Sequence, residues 1–178
     1  LDNTLLSRAQ KAELLTSYEP VDYGDICVNY DKQWFASRNI APPTSLEDLA
    51  LPTYKNLLTV EDPVASSPGL GFLLGTIAHF GEENWQVYWK SLKANGMHVS
   101  PDWTTAYTID FSGSSGKGKY PLVVSYGSSP PAEVLYAENP IDTPPTAVIE
   151  STCFRQTEYV GALRGTHNPN NATLLISY

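Results

Sequence analysis

Residues 57–77 read LLTVEDPVASSPGLGFLLGTI, and this stretch decides the fold class. The apolar run 57–60 stops at the turn-forming residues 61–63, which is typical of a short buried strand. Ser66-Ser67 precede Pro68, an order that predicts a helix start because proline suits the first helical position. Apolar residues then recur at the spacing of one helical face: Leu70, Leu73, Leu74 and Ile77. The stretch therefore predicts a strand, a polar loop and an amphipathic helix.

The same alternation of strand and helix continues on both sides of this stretch. Residues 25–31 (DICVNYD) alternate apolar and polar side chains like a half-buried strand, and 121–126 (PLVVSY) and 146–150 (TAVIE) predict further strands. A second helix is predicted where aromatic and aliphatic residues share one face: Trp85, Tyr88, Trp89 and Leu92. Alternating strands and helices predict an α/β fold with helices on both faces of a sheet. Ligands of such folds bind at the carboxyl ends of strands, near helix N-termini.

The composition excludes several classes of protein. The 178 residues are 42% hydrophobic, which is enough for a packed core. Nineteen acidic residues against eleven basic ones give a net charge of −8, and this argues against a nucleic acid partner, whose phosphates need Lys and Arg. The longest apolar stretch, 69–80, is too short to span a membrane. The chain begins at Leu1 without a leader and stops soon after a helix start, so we expect a mature or truncated protein.

The sequence argues against an enzyme, because no catalytic or metal-binding signature is present. It contains no G-x-S-x-G elbow, and its three histidines do not cluster with cysteines or carboxylates at metal-ligand spacing. Residues 113–119 (GSSGKGK) match the start of a phosphate-binding loop, but Tyr120 replaces the required Ser or Thr and a strand follows instead of a helix. We therefore predict no catalytic residues, no metal site and no cofactor.

Three polar loops after predicted strands are the candidate binding residues. Ser66-Ser67 lie at a helix N-terminus, which favours an anion or an electron-rich group. Trp103 and Tyr107 follow the second loop, and the third contains Tyr126 with Ser128-Ser129. Each loop also has a purely structural interpretation, since serine before proline caps helices and aromatic residues usually belong to the core.

Several segments, taken in chain order, resemble the thiamine-binding periplasmic proteins. The resembling segments are Asp22-Tyr23-Gly24, 28–31, Pro42-Pro43 with Leu46, Glu61-Asp62-Pro63, 66–71, Trp103, Ala106-Tyr107, 122–126 and Ser129-Pro130. These proteins are the solute-binding components of ABC importers and have the type 2 periplasmic binding protein fold. The contexts of Cys27 and Cys153 are similar to the actinobacterial branch of that family. One departure is Pro131-Ala132-Glu133, where the family often has an aromatic residue.

The resemblance implies two lobes joined by a hinge, each with a mixed sheet flanked by helices. Residues 1–20 are then a remnant of the first lobe, and 21–31 are a strand that crosses the hinge. Residues 32–150 form the second lobe, while 151–178 return across the hinge and begin a truncated C-terminal part. The resemblance also implies a disulfide between Cys27 and Cys153, although two buried free thiols are the alternative if the residues are considered alone.

The resemblance further implies a monomeric, extracytoplasmic protein, in the periplasm or lipid-anchored at the cell surface, with a membrane permease as its partner. Its small-molecule ligand would be thiamine or a thiamine phosphate. The cationic thiazolium and flat pyrimidine of thiamine suit aromatic rings and a carboxylate, and a phosphate suits a helix start. The ligand-binding residues are expected to be Asp22, Tyr23, Ser66, Ser67, Trp103, Tyr107, Tyr126, Ser128 and Ser129.

Three other functions remain open at this point. A ferric-ion site would need adjacent tyrosines with His or carboxylate ligands, and the sequence has no Tyr-Tyr pair. A phosphonate would use the same helix start as a thiamine phosphate. A thiamine-pathway enzyme on this fold would need a nucleophilic cysteine, and both cysteines lie in strand-like runs.

Overall fold

The computed structural model describes residues 1–113 and 117–178, and it divides the chain into two units. Unit 1 comprises Leu1–Gly24 and Arg155–Tyr178, and unit 2 comprises Asp25–Phe154. The chain therefore passes from one unit to the other twice. Part of the Gly/Ser segment 113–119 lies outside the described residues.

The regular structure of the described residues comprises seven strands, seven α-helices, two short 3₁₀-helices (Asp48–Ala50 and Pro52–Tyr54) and one π-helical turn. The strands are β1 (Leu15–Tyr23), β2 (Ile26–Asp31), β3 (Leu58–Glu61), β4 (His98–Ser100), β5 (Leu122–Tyr126), β6 (Thr146–Phe154) and β7 (Thr157–Leu163). The helices are α1 (Asn3–Lys11), α2 (Lys32–Arg38), α3 (Ser67–Phe80), α4 (Trp85–Ala94), α5 (Trp103–Thr105), α6 (Ser129–Leu135) and α7 (Pro169–Ser177). A π-helical turn, Ala106–Asp110, follows α5 directly. Within 1–113 and 117–178, no helix is both long and apolar enough to cross a membrane.

Unit 2 is built on a five-stranded sheet in the order β4-β3-β5-β2-β6. Strand β3 pairs in parallel with β4 and β5, whereas β2 is antiparallel to both of its neighbours. The sheet is therefore mixed, as expected for the α/β class. Because β3, β4 and β5 are parallel, their carboxyl ends lie at one edge of the sheet.

Strand β2 is more deeply buried than its alternating pattern predicted. Ile26, Cys27, Val28 and Asn29 are each at most 1% exposed. The strand occupies an interior position between β5 and β6, so both of its faces are covered. The side-chain amide of its polar residue Asn29 donates to the carbonyl of Tyr126 at 3.1 Å, whereas Asn29 Oδ1 has no partner among the described residues.

Helix α3 packs on the sheet through a different face from the one predicted. Its buried residues include Gly71, Phe72 and Thr76, while the four aliphatic residues at helical spacing are only partly buried. A Cβ atom on Gly71 would lie 2.9 Å from Ile26 Cγ1. Glycine therefore allows α3 to approach β2 so closely that larger side chains are displaced to the flanks of the contact.

The main core of unit 2 lies between the sheet and the helices α3 and α4. Its buried side chains include Val28, Val60, Phe72, Tyr88 and Leu92. As predicted, α4 packs through its aromatic face: Tyr88 and Leu92 are buried and Trp89 packs partly buried against them. A smaller second cluster covers the opposite face of the sheet and consists of Ala106, Tyr107, Phe111 and Val123, with Trp103 against it.

Unit 1 contains a two-stranded antiparallel sheet of β1 and β7, with α1 and α7. The predicted hinge strand 21–31 is divided between the units, since its first residues belong to β1 and its last ones to β2. The assignment of the two units to lobes of a larger protein stays a prediction.

Candidate functional site

The three predicted polar loops follow strands that end at the same edge of unit 2. Strand β3 ends at Glu61, β4 at Ser100 and β5 at Tyr126, and the parallel pairing aligns these ends. The loops lead into α3, α5 and α6 respectively. We call this side of unit 2 the carboxyl edge. It is the position at which α/β sheets bind ligands.

The most distinctive feature of the carboxyl edge is a group of three aromatic residues, Trp103, Tyr107 and Tyr126, which we call the aromatic platform. The rings of Trp103 and Tyr107 are stacked, with centroids 5.2 Å apart and planes 12° apart. The Tyr126 ring lies 6.1 Å from Trp103 at 59°. Tyr107 is buried, whereas Trp103 and Tyr126 are half-buried. Trp103 and Tyr126 thus retain accessible surface, while the buried ring of Tyr107 is stacked against one face of Trp103.

The position of Trp103 in the chain is set by a short helical start. Asp102 caps α5, because its Oδ1 accepts a hydrogen bond from the backbone N–H of Thr105 at 2.7 Å. The π-helical turn that follows brings Tyr107 under Trp103. Such turns are rare and are frequently found at functional sites.

Hydrogen bonds hold the platform from behind. The indole Nε1 of Trp103 donates to Ser125 Oγ at 2.9 Å. Ser125 Oγ lies 2.9 Å from Ser129 Oγ, and both serines are buried. The polar atom of the predicted ligand residue Ser129 therefore already has a partner within the protein, and Ser129 supports the platform.

The hydroxyl of Tyr107 donates to the carboxylate of Glu133. The second oxygen of Glu133 accepts from Thr146 Oγ1 at 2.6 Å. Burial raises the pKa of Tyr107, and the hydrogen bond to Glu133 raises it further, so the phenol remains a protonated donor. Among the predicted residues, Tyr107 is thus a supporting group with its hydroxyl directed at the protein.

The helix start at Ser66-Ser67 is confirmed, but the Ser66 hydroxyl does not cap it. Ser66 occupies the N-cap position of α3, with Pro68 in the first turn. Its Oγ is buried and has no hydrogen-bond partner among the residues that the structure describes. Ser67 is half-buried as the first residue of the helix. The free N–H groups of α3 and an unused hydroxyl therefore lie together at the carboxyl edge.

Glu61, the last residue of β3, is a buried acid that the sequence patterns did not single out as functional. It is fully buried, and neither carboxyl oxygen has a hydrogen-bond partner within the described part of the chain. Burial, reinforced by the charge of Asp102, raises the pKa of Glu61 to about 8. Glu61 lies two residues after Thr59 and therefore faces the same side of the sheet as that residue. With a pKa of about 8, the carboxyl group of Glu61 is mostly protonated at pH 7.

The remaining predicted residues are less closely connected with the platform. Ser128 is exposed at the N-cap of α6. Asp22 and Tyr23 belong to unit 1, at the end of β1, and both are exposed. The guanidinium of Arg155 lies 5.3 Å from the Tyr23 ring, a cation–π distance. The predicted binding residues of unit 2 thus all lie at the carboxyl edge, whereas Asp22 and Tyr23 belong to unit 1.

The predicted disulfide between Cys27 and Cys153 is confirmed, and it joins β2 to β6. The pairing of these strands is interrupted there: Ile26 pairs with Phe154, and Val28 already pairs with Ile149. Thr152 bridges the irregularity, since its hydroxyl accepts from the Val28 N–H at 2.9 Å and donates to the Ile149 carbonyl at 2.6 Å. A covalent bond thus holds two strands where their ladder is irregular.

Over residues 1–113 and 117–178, no group of three or more His, Cys, Asp or Glu side chains is arranged to hold a metal ion. The carboxyl edge offers aromatic rings, hydroxyls, a helix N-terminus and a buried acid. This set can bind a flat or cationic group and an anionic or hydroxylated group.

Comparison with known proteins agrees with this description. Residues 6–135 match the family described as bacterial extracellular solute-binding protein. A thiamine-binding periplasmic protein of Brucella abortus is 34% identical over 113 residues, which are 64% of this chain and 31% of that protein. The corresponding protein of Salmonella typhimurium is 31% identical over 153 residues, covering 76% of this chain and 44% of that protein.

A solved structure of a periplasmic thiamin binding protein matches with a TM-score of 0.78 and 26% sequence identity. The match covers 99% of this chain and 57% of that one. It confirms the predicted fold class. The chain spans less than half the length of the curated relatives it matches.

Proposed function

This chain belongs to the bacterial extracellular solute-binding protein family, and we propose on that basis that it binds thiamine or a thiamine phosphate for an ABC importer. Relatives at 34% and 31% identity are named for thiamine binding, as is the matching solved structure. The family consists of solute-binding proteins rather than enzymes, in agreement with the sequence prediction.

The observation on which the proposal depends is the aromatic platform at the carboxyl edge. Thiamine has a cationic thiazolium ring and a flat pyrimidine ring. A tryptophan that is stacked on a tyrosine and half-exposed attracts a cation through the negative face of its ring. The tilted ring of Tyr126 adds a second aromatic surface at 6.1 Å from Trp103. The platform therefore supports a ligand that is both planar and cationic.

The N-terminus of α3 supports binding of the other end of the ligand. Thiamine ends in a hydroxyethyl group, and its phosphates end in an anion. Ser66 has a buried hydroxyl without a partner among the described residues, at the start of a helix of 14 residues. A helix N-terminus with an available hydroxyl favours a phosphate or an alcohol.

We also infer the setting in which the protein works. The Cys27–Cys153 disulfide persists in oxidising compartments, which supports a location outside the cytoplasm, in the periplasm or at the cell surface. The partners would be the small-molecule ligand and the membrane permease of the importer. A net charge of −8 disfavours nucleic acid as a further partner. We propose that the protein acts as a monomer.

Native mass spectrometry and calorimetry test this proposal. The protein is expressed from its complete gene and examined by native electrospray for a co-purified ligand. It is then stripped by mild unfolding and refolded, and it is titrated with thiamine, thiamine monophosphate and a simple phosphonate. We expect the thiamine compounds to bind and the phosphonate not to bind. A folded protein that binds the phosphonate but not thiamine would contradict the proposal.

A further inference from the structure

We propose that Glu133 is a positioning residue for ligand binding, which holds the phenol of Tyr107 and thereby fixes the ring on which Trp103 is stacked. The inference rests on the proposed function, in which Trp103 contacts the ligand. In this proposal, Glu133 does not contact the ligand itself. It acts through Tyr107.

The carboxylate of Glu133 connects three separate parts of unit 2. It lies on α6, and its Oε1 accepts from the Tyr107 hydroxyl, which belongs to the π-helical turn. Its Oε2 accepts at 2.6 Å from Thr146 Oγ1, the fully buried first residue of β6. Both oxygens are therefore occupied by side-chain donors. This arrangement fixes the carboxylate in one orientation relative to the sheet.

The phenol of Tyr107 is held correspondingly firmly. Tyr107 is 7% exposed, and its single proton is donated to Glu133. Ser129 is a further hydrogen-bond partner of the same hydroxyl. With both ends of the side chain fixed, the ring presents one face to Trp103, at 12° from parallel. The exposed face of Trp103 is therefore oriented by a chain of contacts that begins at Glu133.

The charge of Glu133 adds to its positioning effect. A phenol that donates to a carboxylate is polarised by it, since hydrogen-bonded groups polarise one another in a low-dielectric interior. The stacked ring pair then presents more negative charge to a bound cation. The carboxylate also attracts the cation directly over a longer distance, and this effect weakens with salt.

Two substitutions of Glu133 distinguish its effect on the position of the Tyr107 ring from the effect of its charge. Glu133→Ala removes both hydrogen bonds and releases the Tyr107 ring. Glu133→Gln keeps an oxygen for the Tyr107 hydroxyl and offers an amide donor to Thr146 Oγ1, so that it retains the geometry and removes the charge. Glu138→Ala is the matched control, because it removes an exposed carboxylate just beyond the end of α6.

The experiment is a double-mutant cycle, with thiamine as the probe and the protein expressed from its complete gene. Thiamine affinity is measured by calorimetry for the unchanged protein, Glu133→Ala, Tyr107→Phe and the double variant. We expect each single change to weaken binding about tenfold, the scale of a misaligned cation–π contact. The double variant should be no weaker than Glu133→Ala, because both changes break the same connection. Glu133→Gln should recover most of the affinity, and Glu138→Ala should leave it unchanged.

Ligand-induced quenching of Trp103 is the second measurement, obtained as the difference between each variant and the same variant with Trp103→Phe. A role in stability alone would lower the melting temperature without changing this quenching. Tyr107→Phe keeps the ring in the core, so the proposal stays testable even if Glu133→Ala fails to fold. In that case Tyr107→Phe should reduce both the quenching and the affinity.

Two results would overturn the inference while leaving the proposed function intact: additive losses in the double variant, or unchanged thiamine affinity and quenching in Tyr107→Phe. If the unchanged protein binds no thiamine, the proposed function fails and the inference fails with it. The two failures are therefore distinguishable from the same set of titrations.

Discussion

Two tryptophans of unit 2 separate ligand binding from packing at the scale of single residues. Trp103 is half-buried on the aromatic platform, whereas Trp89 packs against Phe72 in the main core and donates from Nε1 to Thr76 Oγ1 at 2.8 Å. Trp103→Ala should cost about 1–2 kcal/mol of thiamine binding energy, the scale of a cation–π contact, and less stability than Trp89→Ala, because the cluster it packs against is the smaller one. Trp89→Ala should cost up to about 3 kcal/mol of unfolding free energy, the lower end of the range for a buried aromatic residue, because Trp89 is partly buried.

Calorimetry with thiamine and thermal unfolding of both variants check this pair. Each variant is the control for the other, since both remove one indole from the same unit. If Trp103→Ala unfolds the protein while Trp89→Ala abolishes binding, the assignment of platform and core is reversed.

Glu61 should make the stability of the protein depend on pH. Its folded-state pKa of about 8 lies above the ordinary carboxyl value of 4.5, so the folded protein holds a proton that the unfolded chain releases. The contribution of the neutral acid is complete below pH 4.5 and is lost as the pH rises to about 8. Within this window, the unfolding free energy should fall by up to about 1.4 kcal/mol for each pH unit.

Glu61→Gln tests this dependence, because glutamine has nearly the same shape and carries no titratable proton. The slope of unfolding free energy against pH between 5 and 8 should flatten in the variant, as measured by urea unfolding at several pH values. Glu83→Gln, at an exposed position before α4, should keep the slope of the unchanged protein. An identical slope in both variants would show that Glu61 is ionised in the folded state.

Some site residues could be predicted from the sequence and others could not. The difference depends on how far apart in the sequence the contacting residues lie. Tyr126 ends the strand predicted at 121–126, so the strand pattern located it at the carboxyl edge. Trp103 follows β4, a strand of three residues that the sequence patterns did not predict. The supporting residues Ser125 and Glu133 were missed, because their partners lie far away in the sequence: Glu133 bonds Tyr107, 26 positions earlier. No local pattern distinguishes such a carboxylate from an exposed one on a short helix.

The start of α3 provides a test at the scale of elements. Replacing both Ser66 and Ser67 with alanine should change stability by less than about 0.5 kcal/mol, because the Ser66 hydroxyl makes no capping bond with the described residues. The same change should weaken the binding of a thiamine phosphate more than the binding of thiamine. Calorimetry with both ligands and urea unfolding measure the two effects.

Asp31→Ala is the control for this experiment, because Asp31 caps α2 through a bond from the Trp34 N–H at 3.0 Å. Its loss should cost about 1 kcal/mol or more. Either of two results would show that Ser66 and Ser67 stabilise the helix and do not contact the ligand. In the first, the serine double variant loses as much stability as the control, and in the second its affinity for both ligands falls equally.

Much of the order of strands and helices in unit 2 was predictable, although β4 and α2 were missed, but the packing faces were not. The apolar run 121–126 predicted β5 correctly, because a strand that is buried on both faces has continuous apolar residues. Strand β2 alternates in sequence, yet its polar Asn29 is buried by an interior position in the sheet that sequence order does not reveal. Likewise, Gly71 determines the contact face of α3 through close approach to Ile26, and hydrophobic spacing contains no such information.

At the scale of the whole molecule, unit 2 has the properties of an independently folding body. Both hydrophobic clusters lie within Asp25–Phe154, and the Cys27–Cys153 bond closes it. The segment Asp25–Phe154 alone should therefore unfold cooperatively, and reduction should lower its unfolding free energy by about 2–4 kcal/mol. Urea unfolding with and without reductant measures this, with Cys27→Ser/Cys153→Ser as the matched control.

Titration of free thiols in the denatured, unreduced segment should detect no reactive groups. Two titratable thiols, or a segment without cooperative unfolding in its oxidised form, would contradict this description of unit 2.

The disulfide has a mechanical consequence. A pulling force applied to the two ends of the chain enters unit 2 beside Ile26 and Phe154, which are paired neighbours in the sheet. Tension then passes through the sulfur atoms, and the 126 positions that separate the cysteines bear none of it. About 430 Å of contour length, at the reach of an extended chain, is thereby shielded from stretching until the bond is reduced.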